Sequence, residues 1–261
     1  MTIVVLDQDG RYAPDCPAWL ADSGQDLWLV TGRAGEYPGF AGVRVVERYA
    51  QSAAVELAVL EVAGRGGVRA VIALDPVDQV RAGGLRDHLG LPGQTRDTAL
   101  ALADSVALDD LLATAGIGAT PREEVRRVAD LYWWAHRWGY PLAVRPRRGP
   151  DRSVIAEIAD EVALRALVTG GLLPDDPAVV PSLTVEPVAV GERHRGPGPG
   201  VTDALPAALP ADPGHPYAVE AVRAKDGDWL VHTVAYDPGA RSARVLVRAQ
   251  AGLDPESAEV V

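Results

Sequence analysis

GYPLAVRPRRGP, residues 139–150, sets a turn, a short apolar run and then three arginines around a proline and a single glycine. Leu142–Val144 reads as a strand. Arg145, Arg147 and Arg148 follow it as a small basic cluster in a chain whose formal net charge is −11. A solvated loop is the default reading of such a cluster. The functional reading is an anion site for a phosphate, a carboxylate or an acidic partner surface, because a guanidinium forks two N–H bonds towards one oxyanion.

Upstream, residues 121–138 admit two readings. Thr120-Pro121 with Glu123 resembles a capping box opening one long helix. Alternatively EEVRRV is a strand and Asp130 caps a shorter helix ending at Gly139, which is the reading preferred here. Thr95–Thr114 has the spacing of a helix, with Ala99, Leu102, Val106, Leu108, Leu111 and Leu112 on one broad face and Gly116 as its stop.

Nearer the N-terminus, the apolar runs 3–6, 27–31 and 68–74 predict strands, and 52–63 predicts a helix. Strands alternating with helices imply a parallel sheet covered on its faces. Downstream, Asp160–Thr169 predicts a helix closed by Gly170-Gly171, and 174–216 is loop-rich around one strand, LTVEPVAV. YAVEAVR and WLVHTVA flank Asp226-Gly227, whose positive φ angles suit a hairpin turn, and 242–251 predicts a last helix.

The expected class is therefore α/β, with a Rossmann-like parallel-sheet domain at 1–93 and a second module at 94–261. The second module divides into a helical and small-strand part, 94–172, and a hairpin-containing part, 173–261.

The chain of 261 residues is 48% hydrophobic and 23% charged, the composition of an ordinary globular protein. An acidic surface without a basic run repels a phosphate backbone, so nucleic acid is excluded as a partner. No window reaches the roughly 18 apolar residues of a spanning helix, and MTIVVLDQDG lacks a leader's basic and apolar regions, so the expectation is a cytoplasmic protein with no membrane partner.

Cys16 is the lone cysteine and reads as a partly buried thiol. Lys225 is the lone lysine, which rules out any mechanism needing two. No GxGxxG follows the first strand and no GxSxG nucleophile elbow exists. The histidines at 88, 136, 194, 215 and 232 show no metal-ligand spacing. His232 alone sits where an imidazole could replace a metal-binding carboxylate. In the cluster Tyr132, Trp133, Trp134 and Trp138, the last two are spaced to pack inward. Tyr132 and Trp133 are either core or an exposed interface.

The order of elements resembles the ATP-grasp superfamily, in particular its carboxylate–amine ligases. The resemblance rests on residues 75–117, on GYPLAVRP against the family's GYPvVvKP strand, on VEPVAVGE at 185–192 and on the hairpin 217–240. It implies a nucleotide site holding Arg145, Glu186 and Glu192, and a magnesium site holding Glu220. Such ligases transfer a γ-phosphoryl group to a carboxylate before an amine attacks. The transition state needs cations on the phosphate oxygens.

Against that pattern, Ser105 stands where a lysine belongs, Thr233 where a second metal-binding acid belongs, and Asp237 where an arginine belongs. Prolines 146 and 150 stiffen the loop that should close over phosphates, and the GPGPG run at 196–200 lacks successive N–H donors. The link between Glu186 and Glu220 looks too short for the strands and helix that complete an adenine pocket. The resemblance thus implies a shortened ATP-grasp-like protein that has lost ligase activity and acts as a binding or accessory component, as a homodimer or beside an active ligase. The alternative is an active ligase using ATP and magnesium through Arg145, Glu186, Glu192 and Glu220.

Overall fold

The structure, a computed structural model, describes residues 1–148, 153–171, 182–189, 191–196, 204–224 and 226–257. Two compact units divide the chain: Met1–Leu100 with Ala211–Tyr217 and Tyr236–Val261, and Ala101–Pro210 with Ala218–Ala235.

In the first unit, β1 (Thr2–Asp7), β2 (Asp26–Thr31), β3 (Gly42–Val45) and β4 (Val68–Ala73) form a parallel sheet in the order β3-β2-β1-β4. Alternation along the strands supplies both faces with apolar side chains, as a doubly covered sheet requires. Val4, Leu6, Val30 and Val71 meet Val55, Val59 and Val62 of α2 (Ala54–Gly66) and Ala82 and Leu85 of α3 (Gln79–Leu89). Ile3, Val5, Leu29 and Ile72 point the other way, towards Cys16 of the short α1 (Cys16–Trp19). Gly42 is required by packing: a Cβ there would lie 2.5 Å from the Trp28 ring.

The expected single helix over 95–114 is two, α4 (Arg96–Ala103) and α5 (Ser105–Thr114). Asp104 divides them. Its backbone is extended and its carboxylate accepts from the N–H groups of Val106 and Ala107, which makes it the N-cap of α5.

In the second unit the preferred reading of 121–138 holds: β5 (Glu123–Val125) is a strand and α6 (Val128–Trp138) a separate helix. Asp130 occupies the third helical position and accepts from the Arg127 N–H, while Arg127 is the N-cap. β6 (Leu142–Pro146), β7 (Ala156–Ile158), α7 (Glu161–Thr169) and β8 (Leu183–Pro187) complete an antiparallel sheet ordered β5-β8-β6-β7. Leu142, Val144, Leu183 and Val185 face the core with Leu131, Ala135 and Leu164. Period two then sends Arg145, Thr184 and Glu186 to the opposite face, with Arg145 level with Thr184 and Ala143 level with Glu186.

The link between Glu186 and Glu220 is not featureless: it carries β9 (Arg193–Arg195) and α8 (Leu205–Ala208). β9 pairs with β10 (Tyr217–Arg223), which lies beside β11 (Trp229–Tyr236) in a second sheet.

The chain then returns to the first unit as α9 (Ala243–Gln250). Leu246 and Val247 enter the α1 side of that unit's core. The expectation set a division at 93; the first compact unit comprises Met1–Leu100 with Ala211–Tyr217 and Tyr236–Val261, and the amphipathic α9 finds its apolar complement on the parallel sheet. Gln250 holds the joint, bonding the N–H and C=O of Ala73 at the end of β4.

Candidate functional site

The polar face of the β6–β8 sheet borders a cavity of about 200 Å³ lined by Ser105, Arg122, Arg145, Pro146, Thr184, Arg193, Glu220, His232 and Thr233. Arg145 and Glu186 are brought together, though not with their charges free. The Arg145 Nε donates to Glu186 Oε1 at 2.6 Å, and the Arg122 Nε donates to Glu186 Oε2 at 3.0 Å. Arg122 also faces Asp109 at 3.4 Å and donates to the His232 carbonyl at 2.7 Å. Burial alone would raise the Glu186 pKa. Arg122, His232 and Arg145 more than offset that and hold the carboxyl below its ordinary range.

His232 is buried, with Nδ1 3.1 Å from the Thr120 hydroxyl and Nε2 3.9 Å from Glu186. Burial lowers its pKa, and Glu186 only partly opposes this. It neighbours Thr233 but turns towards Thr120 and Glu186. Glu220 pairs with Arg193 at 2.7 Å. Among the described residues, no three His, Cys, Asp or Glu side chains converge in a metal-holding group.

The other two arginines of the cluster are bound as well. Arg147 and Arg148 both donate to the buried Asp104, and Arg147 also donates to Glu124. Burial pushes the Asp104 carboxyl up, but these hydrogen bonds win and leave it below its usual range. The Ser105 hydroxyl donates to the Arg147 carbonyl. The default reading of a solvated loop thus gives way to an arginine cluster paired throughout with internal carboxylates.

Four of the expected residues stand elsewhere. Glu192 is exposed and faces Arg223 at 3.5 Å. Asp237 caps a short turn by accepting from the Gly239 N–H. Tyr132 and Trp133 lie on the outer side of α6, while Trp134 and Trp138 stack with ring centroids 4.4 Å apart against the core. Residues 149–152 of the arginine-rich loop, 197–200 of the glycine–proline run and Lys225 lie outside the described residues.

Sequence reading missed Arg122, Arg193, Asp104 and Asp109 as members of the site. Arg122 carries one signal in the sequence, a cation directly after Thr120-Pro121.

No protein-family model matches the sequence, and no curated protein matches it at a meaningful level. Solved structures do match. An L-amino acid ligase from Bacillus licheniformis superposes over 95% of this chain and 68% of its own, with a TM-score of 0.64 at 16% identity. The biotin carboxylase domain of the 2-oxoglutarate carboxylase from Hydrogenobacter thermophilus, a dimer in complex with MgADP, ADP and bicarbonate, matches 98% of this chain and 71% of its own, with a TM-score of 0.66 at 13% identity. A RimK-domain ATP-grasp protein from Sphaerobacter thermophilus matches over 97% of this chain and 99% of its own, with a TM-score of 0.61 at 18% identity. At these identities the likeness establishes the fold: the chain has the ATP-grasp fold. It is shorter than the ligase and the carboxylase domain and about as long as the RimK-domain protein, so shortness by itself is no mark of a broken site. No helix among the described residues is long and apolar enough to cross a membrane.

Proposed function

We propose that this ATP-grasp-fold chain does not ligate by itself and serves as a binding or accessory component of a ligase system, with a second copy or an active ligase as its partner. One observation carries the reading: Glu186 bridges Arg145 and Arg122, so the cation on the strand that would meet a phosphate is already neutralised inside the protein. Phosphoryl transfer depends on cations aimed at the developing charge. Here the arginines at the cavity face carboxylates: Glu186, Asp109 and Glu220.

The residues present do not fit ATP and magnesium. Ligand pockets usually measure about 300–1,000 Å³, and this cavity has about 200 Å³. Magnesium takes hard oxygens around an octahedron, and the cavity offers Glu220, itself paired with Arg193, beside the hydroxyl of Thr233.

A second reading keeps the chain an active ligase in which nucleotide displaces Glu186 from Arg145. Two matched structures favour it: one holds MgADP, and another spans the same length as this chain. Thermal unfolding with ATP, ADP and magnesium separates the two. Nucleotide at 100 times its dissociation constant stabilises a fold by about 2.7 kcal/mol, and the proposal expects no shift at millimolar nucleotide. ATP hydrolysis that vanishes in Arg145→Ala and Glu220→Ala would overturn it.

A further inference from the structure

We propose that the groove between α2 and α3 of the first unit binds a short zwitterionic peptide with an apolar side chain, its amino end at Glu56 and its carboxylate at His88 and Arg96. The groove has a volume of about 530 Å³, within the roughly 300–1,000 Å³ of pockets that enclose small molecules. Its lining runs from Glu56 to Arg96 and shares no residue with the cavity on β6 and β8. Positions 81, 84, 85 and 88 recur on one face of α3, and Glu56 and Leu60 stand one turn apart on α2. Leu60, Val77, Val80 and Leu85 supply the apolar floor. Gly84 deepens it, since a Cβ there would project towards the Arg96 Cδ, 3.6 Å away. The adjacent Gly83 lets the backbone of Thr95 and Arg96 press against α3, and Asp87 accepts from the Arg96 N–H at 2.9 Å. Arg96 is thereby set beside Gly84 at the groove, and its guanidinium reaches the exposed Asp97 at 3.9 Å, the outer limit of an ion pair.

The Glu56 end carries an unmet demand. Arg81 spends its guanidinium on Asp78 and on the carbonyls of Tyr49 and Ala50, and its Nε stays 3.5 Å from Glu56 Oε1. Glu56 Oε2 is closed to solvent and accepts no hydrogen bond among the described residues. A buried acceptor without a donor is a cost that a bound ammonium group removes. The other end is basic, with the exposed His88 and Arg96 placed to donate to a carboxylate. Arg81, beside Glu56, and His88 are two turns apart on α3, about 10 Å along its axis. An extended chain advances about 3.3–3.6 Å per residue. About three residues therefore join an amine at Glu56 to a carboxylate at His88 and Arg96, with an apolar side chain over the floor between them. The proposal stands whether or not the cavity binds nucleotide.

Calorimetric titration of the full chain with alanyl-leucyl-alanine tests it, beside the same peptide acetylated at its amino end, the same peptide amidated at its carboxyl end, and free leucine. The unmodified peptide should bind with a Kd below about 1 mM, and each of the other three at least about tenfold more weakly. Glu56→Ala should remove the advantage of the free amine over the acetylated form, and Arg96→Ala that of the free carboxylate over the amide. Gly84→Leu fills the floor from a helical position, so it should abolish binding without lowering the thermal midpoint. Absence of heat up to about 10 mM peptide, equal binding of the acetylated or amidated form, or binding that survives Gly84→Leu overturns the proposal.

Discussion

Glu186 and Arg122 each keep about 3% of their side-chain surface exposed, so the bond between them is a buried ion pair rather than a surface one. Removing one partner of such a pair strands the other charge and costs about 3–5 kcal/mol. Glu186→Gln should therefore lower urea stability by about 3 kcal/mol or more, and by more than Arg145→Ala, which leaves Glu186 its bond to Arg122. A loss under about 1 kcal/mol, the range of exposed pairs, would show that the network is not held as described. Because the folded Glu186 pKa is depressed, its contribution is in place above the ordinary carboxylate value of 4.5 and is lost as pH falls through the folded value. His215 supplies a second pH handle. Its Nδ1 meets Asp212 at 3.0 Å, and burial lowers its pKa, with Arg86 adding to the effect and Asp212 opposing it. A histidine lowered from 6.5 resists protonation in the fold. The stability tied to its neutral form is complete above 6.5 and lost as pH falls towards the folded value. Asp75 and Asp78, pushed up to about 6 and about 7 by burial, act with the opposite sign, so the wild-type slope alone is not diagnostic. The readout is the difference between His215→Gln and wild type. It should move in the variant's favour between about pH 7.5 and pH 5.5 in urea titrations, and an unchanged difference would remove His215 from this role.

At the level of elements, α9 fastens the end of the chain to the parallel sheet of the first unit. Leu246 is 1% exposed, and Gln250 bonds Ala73 through both backbone groups and reaches Arg86 and the Gly214 carbonyl. Leu246→Ala should cost about 2–5 kcal/mol, the range for emptying a buried leucine site. The Trp19 and Trp28 fluorescence transition in urea reports it; a smaller change would mean that α9 is only loosely seated. The helix itself was legible, because LVRAQA follows Ser242 with apolar residues at helical spacing. Its destination was not, since nothing in a linear pattern says which sheet an amphipathic face will cover. Strands β1, β2 and β4 were legible as near-continuous apolar runs, the pattern of a sheet buried on both sides. β3 was missed because GVRV is an exposed edge, and β9 because RHR is wholly exposed. α3 was missed for a different reason: QVRAGGLRDHL carries two glycines and little apolar periodicity. Gly83 is needed there because a Cβ would lie 2.8 Å from the backbone of Thr95 and Arg96, a tertiary demand that outweighs helix propensity.

Over the whole molecule the distinguishing feature is distributed charge pairing. Arg122, Arg145, Arg147, Arg148 and Arg193 each face a carboxylate, and all five lie outside the positions at which Ser105, Thr233 and Asp237 depart from the ligase pattern. Arg145 and Glu186 were legible as site residues through the resemblance. Their mutual neutralisation was not, because they stand 41 positions apart and meet only through the register of β6 on β8. Arg122 stayed hidden because its partners come from α5, β8 and β11, three separate parts of the chain. This distribution makes a prediction about repair. Ser105→Lys with Thr233→Glu puts back a lysine at the start of α5 and a second acid beside Glu220, both at the cavity lining. If those two departures alone governed nucleotide binding, the double variant would gain about 2.7 kcal/mol at 100 times the dissociation constant of ATP with magnesium. The expected result is no gain, because Arg145 and Arg122 remain bound to Glu186 and the cavity remains at about 200 Å³. Calorimetric titration of the variant decides it. A measurable ATP isotherm would locate the defect in two side chains and refute the view that pairing across the whole module has closed the site.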